Sequence, residues 1–301
     1  MKVYDCFMFY NEFELLELRL KSLWDVVDYF VLVEADRGHT NIPEPFFFEE
    51  NKERFKEFLP KIRHIMVKLD LPYKGTGDWT LENAHRNSIM QGLKDAAPDD
   101  LIFISDLDEI WAPDILQRIN DRQTPVFANY SLPFTPPHMT GKRISAPCQL
   151  MIPAVNLLEV SPISMQQTFH YYYFDWISKN FWPGTVLTKR KNLTTPQDMR
   201  NGRYVFPRVP DGGYHFSYMG GVDRIISKMT TIVDGYEFVE KSGGKLTDKK
   251  HIAEVMKSGK DLYGRTGIPE EQFYPYDISN IKLPYLSEFV KKYPQFLKPK
   301  D

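Results

Sequence analysis

The first third of the chain alternates short apolar runs with segments typical of helices. The apolar runs cover 3–10, 29–35, 62–69 and 101–105 and predict buried strands. Between them, 13–24, 47–58 and 79–96 predict helices, and Asn11 and Glu14 have the capping-box spacing that begins a helix. Strands that alternate with helices predict a parallel sheet with right-handed crossovers. We therefore expect an α/β fold with a Rossmann-type, mostly parallel sheet flanked by helices.

The remainder of the chain has a different pattern. Residues 125–206 contain many prolines and β-rich runs such as 170–177 and 184–190, which predict strands and loops laid over the sheet. The segments 221–241 and 248–262 then predict helices. Because no repeat or obvious linker interrupts the chain, we expect one domain over 1–301, with a β-rich insertion and a helical C-terminal region.

Charge and apolar run length narrow the class of protein. A net charge of -2 and a pI near 6.4 argue against a general nucleic-acid binder, which would be clearly basic. The start carries Asp5, Glu12 and Glu17, and no apolar run approaches the ~20 residues of a membrane span, so neither a signal peptide nor a transmembrane segment is predicted. Cys6 lies in an apolar strand, where a reduced core thiol is expected. These features predict a cytoplasmic protein.

Three carboxylates follow the fourth apolar run. Asp106, Asp108 and Glu109 come directly after 101–105, and like charges this close repel unless a cation sits beside them. If the chain stays extended, Asp106 and Asp108 point to the same face. Carboxylate oxygens suit Mg²⁺ or Mn²⁺, which proteins often hold together with substrate phosphates, so a nucleotide diphosphate is the predicted partner. The alternative is that these acids belong to the start of the helix near Pro113.

The carboxylate run also carries a resemblance to a known family. LIFISDLDEI (101–110), with VLVEADRGHTNIPEPFFFEENKERF (31–55) and YHFSYMGG (214–221) in the same order, resembles glycosyltransferase family 17. The likeness runs from Cys6 to about Tyr263. It implies a GT-A-like fold, a D-x-D motif that holds a metal and a nucleotide sugar, and inverting transfer of GlcNAc from a UDP-sugar to a glycan hydroxyl, forming a β-linkage. It further implies a nucleotide-sugar-binding half at 1–124 and an acceptor-binding half at 125–301.

The resemblance implies roles for particular residues. Asp106 and Asp108 would hold Mn²⁺ or Mg²⁺, Glu109 would support them, and His215 matches the position where GT-A enzymes often supply a third metal ligand. The alternative for His215 is a hydrogen-bonded core histidine between aromatic rings.

Further candidates face the nucleotide or the leaving diphosphate. They are Asn11 and Glu12 in the first βα turn, Glu34 at the end of the second strand, Arg86 on the helix before the carboxylates, and Lys189 and Arg190 in a basic segment. Three of these have a plainer alternative: Asn11 is explained by a capping box, Arg86 by a solvated helix face, and the basic segment by a wet loop.

Inverting transfer needs a carboxylate that takes the proton of the acceptor hydroxyl. Asp175 is the leading candidate, because it falls between the D-x-D motif and His215 among aromatic residues, and Asp211 and Glu237 are its rivals. Trp176 and Trp182 are candidate platforms for a sugar ring.

Two other functions stay open at this point. A metal-dependent phosphoesterase or nucleotidyltransferase would also use clustered aspartates, although two-metal enzymes usually need more His and Asp ligands than the scattered histidines here provide. A catalytically inactive sugar-binding module would show no turnover and little metal dependence. Binding of UDP with and without Mn²⁺ separates the three.

Overall fold

The computed structural model describes residues 1–121, 125–131, 145–150, 153–264 and 273–299. The strands are β1 (Val3–Met8), β2 (Tyr29–Ala35), β3 (Ile62–Val67), β4 (Leu101–Asp106), β5 (Glu109–Trp111), β6 (Val126–Ser131), β7 (Ser145–Leu150), β8 (Ile163–Tyr171), β9 (Tyr173–Lys189), β10 (Arg208–Ser217) and β11 (Tyr274–Pro275). The helices are α1 (Phe13–Leu23), α2 (Phe47–Asn51), α3 (Thr80–Asn87), α4 (Ile115–Arg118), α5 (Ala154–Leu157), α6 (Pro196–Gly202), α7 (Val222–Thr231), α8 (Val233–Lys241), α9 (Lys249–Ser258) and α10 (Leu286–Lys292). The predicted boundary between the two halves, at residue 124, lies outside the described residues.

The first four strands form a parallel sheet in the order β3-β2-β1-β4. This is the beginning of the Rossmann strand order 3-2-1-4-5-6, in which the chain winds outward from β1 in both directions. The register pairs Met8 with Asp106, so the first carboxylate stands at the carboxyl end of β4, beside the turn that follows β1. The predicted α/β fold, with a Rossmann-type parallel sheet flanked by helices, is confirmed.

The sequence pattern predicted that the β-rich segment lies over the sheet. In the structure this segment instead extends the sheet. β9 pairs antiparallel with β4, and β8, β10, β6 and β7 continue the order outward. An unpaired β4 would expose a row of backbone N–H and C=O groups at a buried position, and the long β9 satisfies them. β5 pairs with β10, which sets His215 opposite Glu109. The pairing brings the YHFSYMGG block next to the carboxylate turn.

Alternation along β1 sends its side chains into two apolar layers. Phe7 packs in a core with Leu16 of α1 and Phe103 of β4. Cys6 points to the other face, with Leu81 of α3 and Ile104 of β4, and is fully buried as a free thiol, as predicted. Among the described residues, no helix is both long and apolar enough to span a membrane.

Two helix predictions differ from the structure. The predicted capping box at Asn11 is wrong, because Glu12 is the N-cap of α1 and no side chain of the described residues caps this helix. Asn11 and Glu14 instead accept hydrogen bonds from the guanidinium of Arg224, on α7. The helix predicted over 79–96 keeps α-helical geometry only to Asn87 and continues as a 3₁₀ helix to Leu93. There Gly92 packs so closely on β2 that an added Cβ would lie 2.5 Å from Val31 Cγ1.

Candidate active site

A cavity of about 860 Å³ opens where β1, β2 and β4 end. The turns after these strands form one wall, and β8, β10, α7 and α8 form the other. Ligands of open α/β sheets bind outside the carboxyl ends of the strands, which is where this cavity lies. Its volume is within the usual range for a small-molecule site. This cavity is therefore the candidate active site.

Asp106 lies on the cavity floor between two guanidinium groups. Its Oδ1 accepts from Arg86 Nη2 at 3.0 Å and its Oδ2 accepts from Arg200 Nη2 at 2.7 Å. Burial alone would raise the pKa of Asp106, but the charges of Arg200 and Arg86 hold it well below its ordinary value. Asp106 is therefore a carboxylate anion with both oxygens engaged.

Asp108 is paired with a different cation. Lys228 Nζ, from α7, lies 2.5 Å from its Oδ2, and His215 Nε2 lies 3.6 Å from its Oδ1. Burial would raise the pKa of Asp108, yet the ammonium of Lys228 keeps it well below its ordinary value. The Lys228 pKa is raised in turn, because the attraction of Asp108 outweighs burial. This pair is a full ion pair at neutral pH.

Glu109 is fully buried and holds the floor together. It accepts a two-pronged pair of hydrogen bonds from Arg200, each 2.7 Å long, and one from Trp182 Nε1 at 2.5 Å. Its Oε2 also accepts from the backbone N–H of Asp106 at 3.0 Å. Arg200 thus ties Glu109 to Asp106, and the three predicted carboxylates are met by three side-chain cations, two of them arginines.

Arg19 shapes the turn that carries these acids. Its buried guanidinium donates to the backbone carbonyls of residues 106, 107 and 109, at 2.9, 3.0 and 3.0 Å. It also makes a two-pronged pair with Asp5, at 2.6 and 2.7 Å. Since Asp5 lies on β1 and Arg19 on α1, the turn is fixed against the centre of the sheet.

A histidine pair lines the end of the cavity near β2. His85 Nε2 lies 3.1 Å from the Val33 carbonyl and donates to it, so its Nδ1 accepts from His39 Nε2 at 3.2 Å. Burial and the neighbouring His39 lower the pKa of His85 to about 3, which keeps this ring neutral. Glu82 joins the group, with Oε2 3.5 Å from His39 Nδ1 and Oε1 3.0 Å from Arg86 Nη2. The contacts form a continuous polar chain from His39 to Asp106.

His215 is held by aromatic rings. Its ring stacks on Phe169 with centroids 4.9 Å apart and an angle of 6°, and Trp182 lies on it at 4.8 Å. No hydrogen bond reaches its Nδ1 from any described residue, so stacking fixes the ring. The imidazole edge that carries Nε2 faces Asp108.

The structure brings most of the predicted binding residues together. Glu12, Glu34, Arg86, Asp106, Asp108 and His215 line the cavity. Glu34 does so with its carboxylate already bonded to the N–H groups of Phe48 and Glu49 at the start of α2. Asn11 lies beside the cavity and binds Arg224, while Lys189 forms ion pairs with Asp99 and Glu159 at the surface; neither Lys189 nor Arg190 is among the lining residues.

The three predicted bases do not line the cavity. Asp175 accepts from the backbone N–H of Lys298 at 2.9 Å, Asp211 lies exposed at a bend of β10, and Glu237 pairs with Lys241 on α8. Of the two candidate platforms, Trp182 lines the cavity, whereas Trp176 is buried and packs against Gly259.

Sequence reasoning missed Lys228, His39 and the role of Arg19. No local signal could have found Lys228, because it meets Asp108 across 120 positions of sequence. His39 lies within residues 31–55, the block that carries the family resemblance, and that resemblance is the sequence signal that could have identified it. Arg200 lies in the same basic segment of sequence as Lys189 and Arg190, and nothing local distinguishes it from the other basic residues there.

A divalent cation at the cavity floor would need free oxygen or nitrogen atoms on the surrounding side chains. Asp106 offers no free oxygen, because a guanidinium bonds each one. Asp108 Oδ1 and His215 Nε2 face each other over 3.6 Å at the cavity wall, a separation that one ion could bridge. Within the described ranges, no group of three or more His, Cys, Asp or Glu side chains is arranged for a metal. The residues therefore fit a cation with two protein ligands, completed by phosphate and water oxygens.

Comparison with known proteins agrees with this geometry over the first part of the chain. Residues 1–126 match the sequence model of glycosyltransferase family 17. The chain is similar to the β-1,4-mannosyl-glycoprotein 4-β-N-acetylglucosaminyltransferases of Homo sapiens and Rattus norvegicus, each 30% identical over 126 residues, or 39% of this chain. The match covers 24% and 23% of those proteins, so the chain spans about a quarter of the length of the curated relatives it matches.

Among solved structures, the chain is similar to glucosyl-3-phosphoglycerate synthase from Mycobacterium tuberculosis in complex with phosphoglyceric acid. The TM-score is 0.34, the identity is 9%, and the likeness covers 80% of each chain. This likeness is too distant to bear on function. The segment that matches the family contains β1 to β4 and the whole carboxylate turn. The match with glycosyltransferase family 17 over residues 1–126 confirms the family resemblance for that segment.

Proposed function

We propose that the protein is an inverting, metal-dependent glycosyltransferase that moves a sugar, most simply GlcNAc, from a UDP-sugar to a hydroxyl of a glycan. One observation carries the proposal: Asp106 and Asp108 stand at the carboxyl end of β4, on the floor of the large cavity, within the segment that matches the family. The printed names of the relatives specify a β-1,4-mannosyl glycoprotein as acceptor. A mannose-containing glycan is therefore the first acceptor to try.

The two ends of the cavity suit two different substrates. The end near β1 and β2 is lined by polar groups that can bond a nucleotide, among them Glu12, His39 and Arg86. The opposite wall carries aromatic side chains that can cover a sugar ring, among them Trp182 and Tyr218. The carboxylate turn lies between them, where the sugar diphosphate of a bound donor would cross.

Asp108 and His215 are the residues that would hold the divalent cation. When bound, such an ion neutralises the charge that develops on the departing diphosphate. Asp106 has a different task in this proposal. Because two guanidinium groups fix its carboxylate, it keeps Arg86 and Arg200 in place at the cavity floor.

Inversion requires an acceptor oxygen to attack the anomeric carbon from the face opposite the phosphate. The new C–O bond forms as the bond to the phosphate oxygen breaks, the diphosphate leaves with the electron pair, and a carboxylate takes the hydroxyl proton. We assign this base to Asp234, which lies on the first turn of α8, exposed at the cavity wall. Glu237, one turn further along the same helix, points out of the cavity and pairs with Lys241.

The direct test is turnover. The protein is incubated with Mn²⁺, mannose-containing glycans and UDP-GlcNAc, UDP-Gal or UDP-Glc, and released UDP and glycan mass are measured. We expect transfer from one UDP-sugar, abolished in Asp108→Asn and lowered at least about 100-fold in Asp234→Asn. Glu237→Gln is the matched control on the same helix and should keep full activity.

Other outcomes identify the alternatives. Cleavage of simple phosphodiesters without sugar transfer would favour a phosphoesterase. Glycan binding without turnover and without metal dependence would favour an inactive sugar-binding module. Equal transfer by the wild type and Asp108→Asn would refute the assigned site.

A further inference from the structure

Lys228 is the one lysine on the cavity floor among the described residues. It lies on α7 and its ammonium contacts buried Asp108 at 2.5 Å, yet a quarter of its side chain remains exposed to the cavity. An ammonium has three hydrogens to donate. The contacts of the described residues assign one of them to Asp108, and the Tyr218 ring lies 5.5 Å away. Hydrogens therefore remain for a ligand beside Asp108.

The helix that carries Lys228 is fastened at both ends. Near its start, Arg224 donates to the Asn11 side chain at 2.8 Å and to Glu14 at 2.9 Å. Near its end, the Thr231 carbonyl accepts from the His39 backbone N–H at 3.0 Å, and the Thr230 carbonyl accepts from the Thr40 hydroxyl at 3.0 Å. The first fastening lies at the turn after β1 and the start of α1, and the second lies in the loop after β2, where His39 lines the cavity. Lys228 is thus held over the carboxylate turn by the nucleotide side of the site itself.

The other cations of the floor are already committed. Arg200 bonds both oxygens of Glu109 and one of Asp106, and Arg86 bonds Asp106 and Glu82. Among the described residues, Lys228 bonds a single carboxylate, and it is the most exposed of the three cations, with 25% of its side chain accessible against 3% for Arg86 and 7% for Arg200. It is the cation best able to turn to a new anion.

We propose that Lys228 binds the diphosphate of the nucleotide-sugar donor directly, as a cation built into the chain that shares the leaving group with any divalent ion at Asp108 and His215. The inference rests on the proposed function and adds to it a residue for diphosphate recognition. It predicts that UDP binds in the absence of divalent cations, and that this binding depends on Lys228.

The experiment is a calorimetric titration of UDP and of uridine in EDTA. The central comparison is Asp108→Asn against Asp108→Asn/Lys228→Met, because neither variant leaves an unpaired buried aspartate. We expect the double variant to bind UDP about 10- to 100-fold more weakly than Asp108→Asn, the usual value of a charge-assisted hydrogen bond. Uridine, which lacks the diphosphate, should bind both variants equally. Lys241→Met on α8, with the same change of charge on an exposed side chain, should match the wild type.

Each result has a defined meaning, provided that thermal melting shows every variant folded. Equal UDP affinity of the two Asp108 variants would overturn the role of Lys228. UDP binding that appears only with Mn²⁺ would also overturn it, while leaving the proposed function standing. If the wild type binds no UDP under either condition, the proposed function fails together with this inference.

Discussion

Replacing Arg200 with methionine tests whether the ion network holds the cavity floor. The substitution keeps a long apolar stem but removes the guanidinium that bonds both oxygens of Glu109 and one oxygen of Asp106. Glu109 is fully buried, and of its partners among the described residues its carboxylate would keep the Trp182 N–H and the Asp106 backbone N–H. A charge in that position has lost its counterion and cannot reach water.

The size of the effect follows from this burial. Removing one partner of a buried ion pair costs about 3–5 kcal/mol of folding free energy, because the other charge stays buried and unpaired. Removing the second charge as well, in Arg200→Met/Glu109→Gln, should recover part of the loss. We expect a coupling free energy of about 1–3 kcal/mol between the two positions, since they are in direct contact.

Urea unfolding of the wild type, both single variants and the double variant measures these quantities. Arg203→Met is the matched control, because Arg203 donates to the Arg200 carbonyl and to Tyr204 instead of to a carboxylate. A loss below about 1 kcal/mol in Arg200→Met, the value of an exposed ion pair, would refute the reasoning, as would a cycle without coupling.

Three further substitutions test other parts of the fold. Burial lowers the pKa of His170 to about 3 from an ordinary 6.5, so the unfolded chain binds a proton between these values and the folded chain does not. Stability should therefore decrease as the pH is lowered from about 6.5 to about 3, by up to about 1.4 kcal/mol per pH unit from this residue. Urea midpoints of His170→Asn should depend less steeply on pH, and an unchanged pH dependence would contradict the role of His170. Arg19→Met leaves Asp5 buried without its counterion and should lower the free energy of unfolding in urea by about 3–5 kcal/mol. UDP should also bind more weakly, because the turn at 106–109 loses the hydrogen bonds from Arg19 that hold its shape. Wild-type UDP affinity in that variant would contradict the claim that Arg19 holds the turn at 106–109 in the shape that binds UDP. Gly213→Ala places a Cβ 2.4 Å from the Ile110 carbonyl oxygen at a φ of 141°, and thermal melting should show a loss of folding stability above about 1 kcal/mol. Gly221→Ala has open space around its Cβ, so it measures the effect of backbone strain without the steric clash.

The first four strands of the sheet could be predicted from the sequence because their signals are local. Each of β1 to β4 is a short apolar run, and the helical segments between them imply parallel pairing through crossovers. That topology predicts that ligands bind at the carboxyl end of β4, where Asp106 and Asp108 lie.

The partners of those acids could not be predicted in the same way. Asp108 meets Lys228 and Glu109 meets Arg200 over 120 and 91 positions of sequence, and nothing in either neighbourhood announces the pairing. The expectation that a cation must lie beside three clustered carboxylates was physically sound, and the structure meets it with side chains. The capping box failed for a related reason, since Arg224 from a distant helix took both of its residues.

The candidate bases show that position in the sequence alone does not place a side chain in the cavity. Asp175 lies among aromatic residues in the right interval of sequence, yet its carboxylate bonds the backbone of Lys298 away from the cavity. Glu237 was one helical turn from Asp234, and only the orientation of α8 separates them. Helix orientation depends on tertiary packing, which no local spacing records.

The most direct measurement is a calorimetric titration of UDP into the wild-type protein, with Mn²⁺ and in EDTA. Saturable binding in both conditions, tighter with Mn²⁺, is the result expected of a cavity whose floor carries Asp108, His215 and Lys228. No binding of UDP or of UDP-GlcNAc in either condition would contradict the assignment of this cavity to a nucleotide-sugar donor.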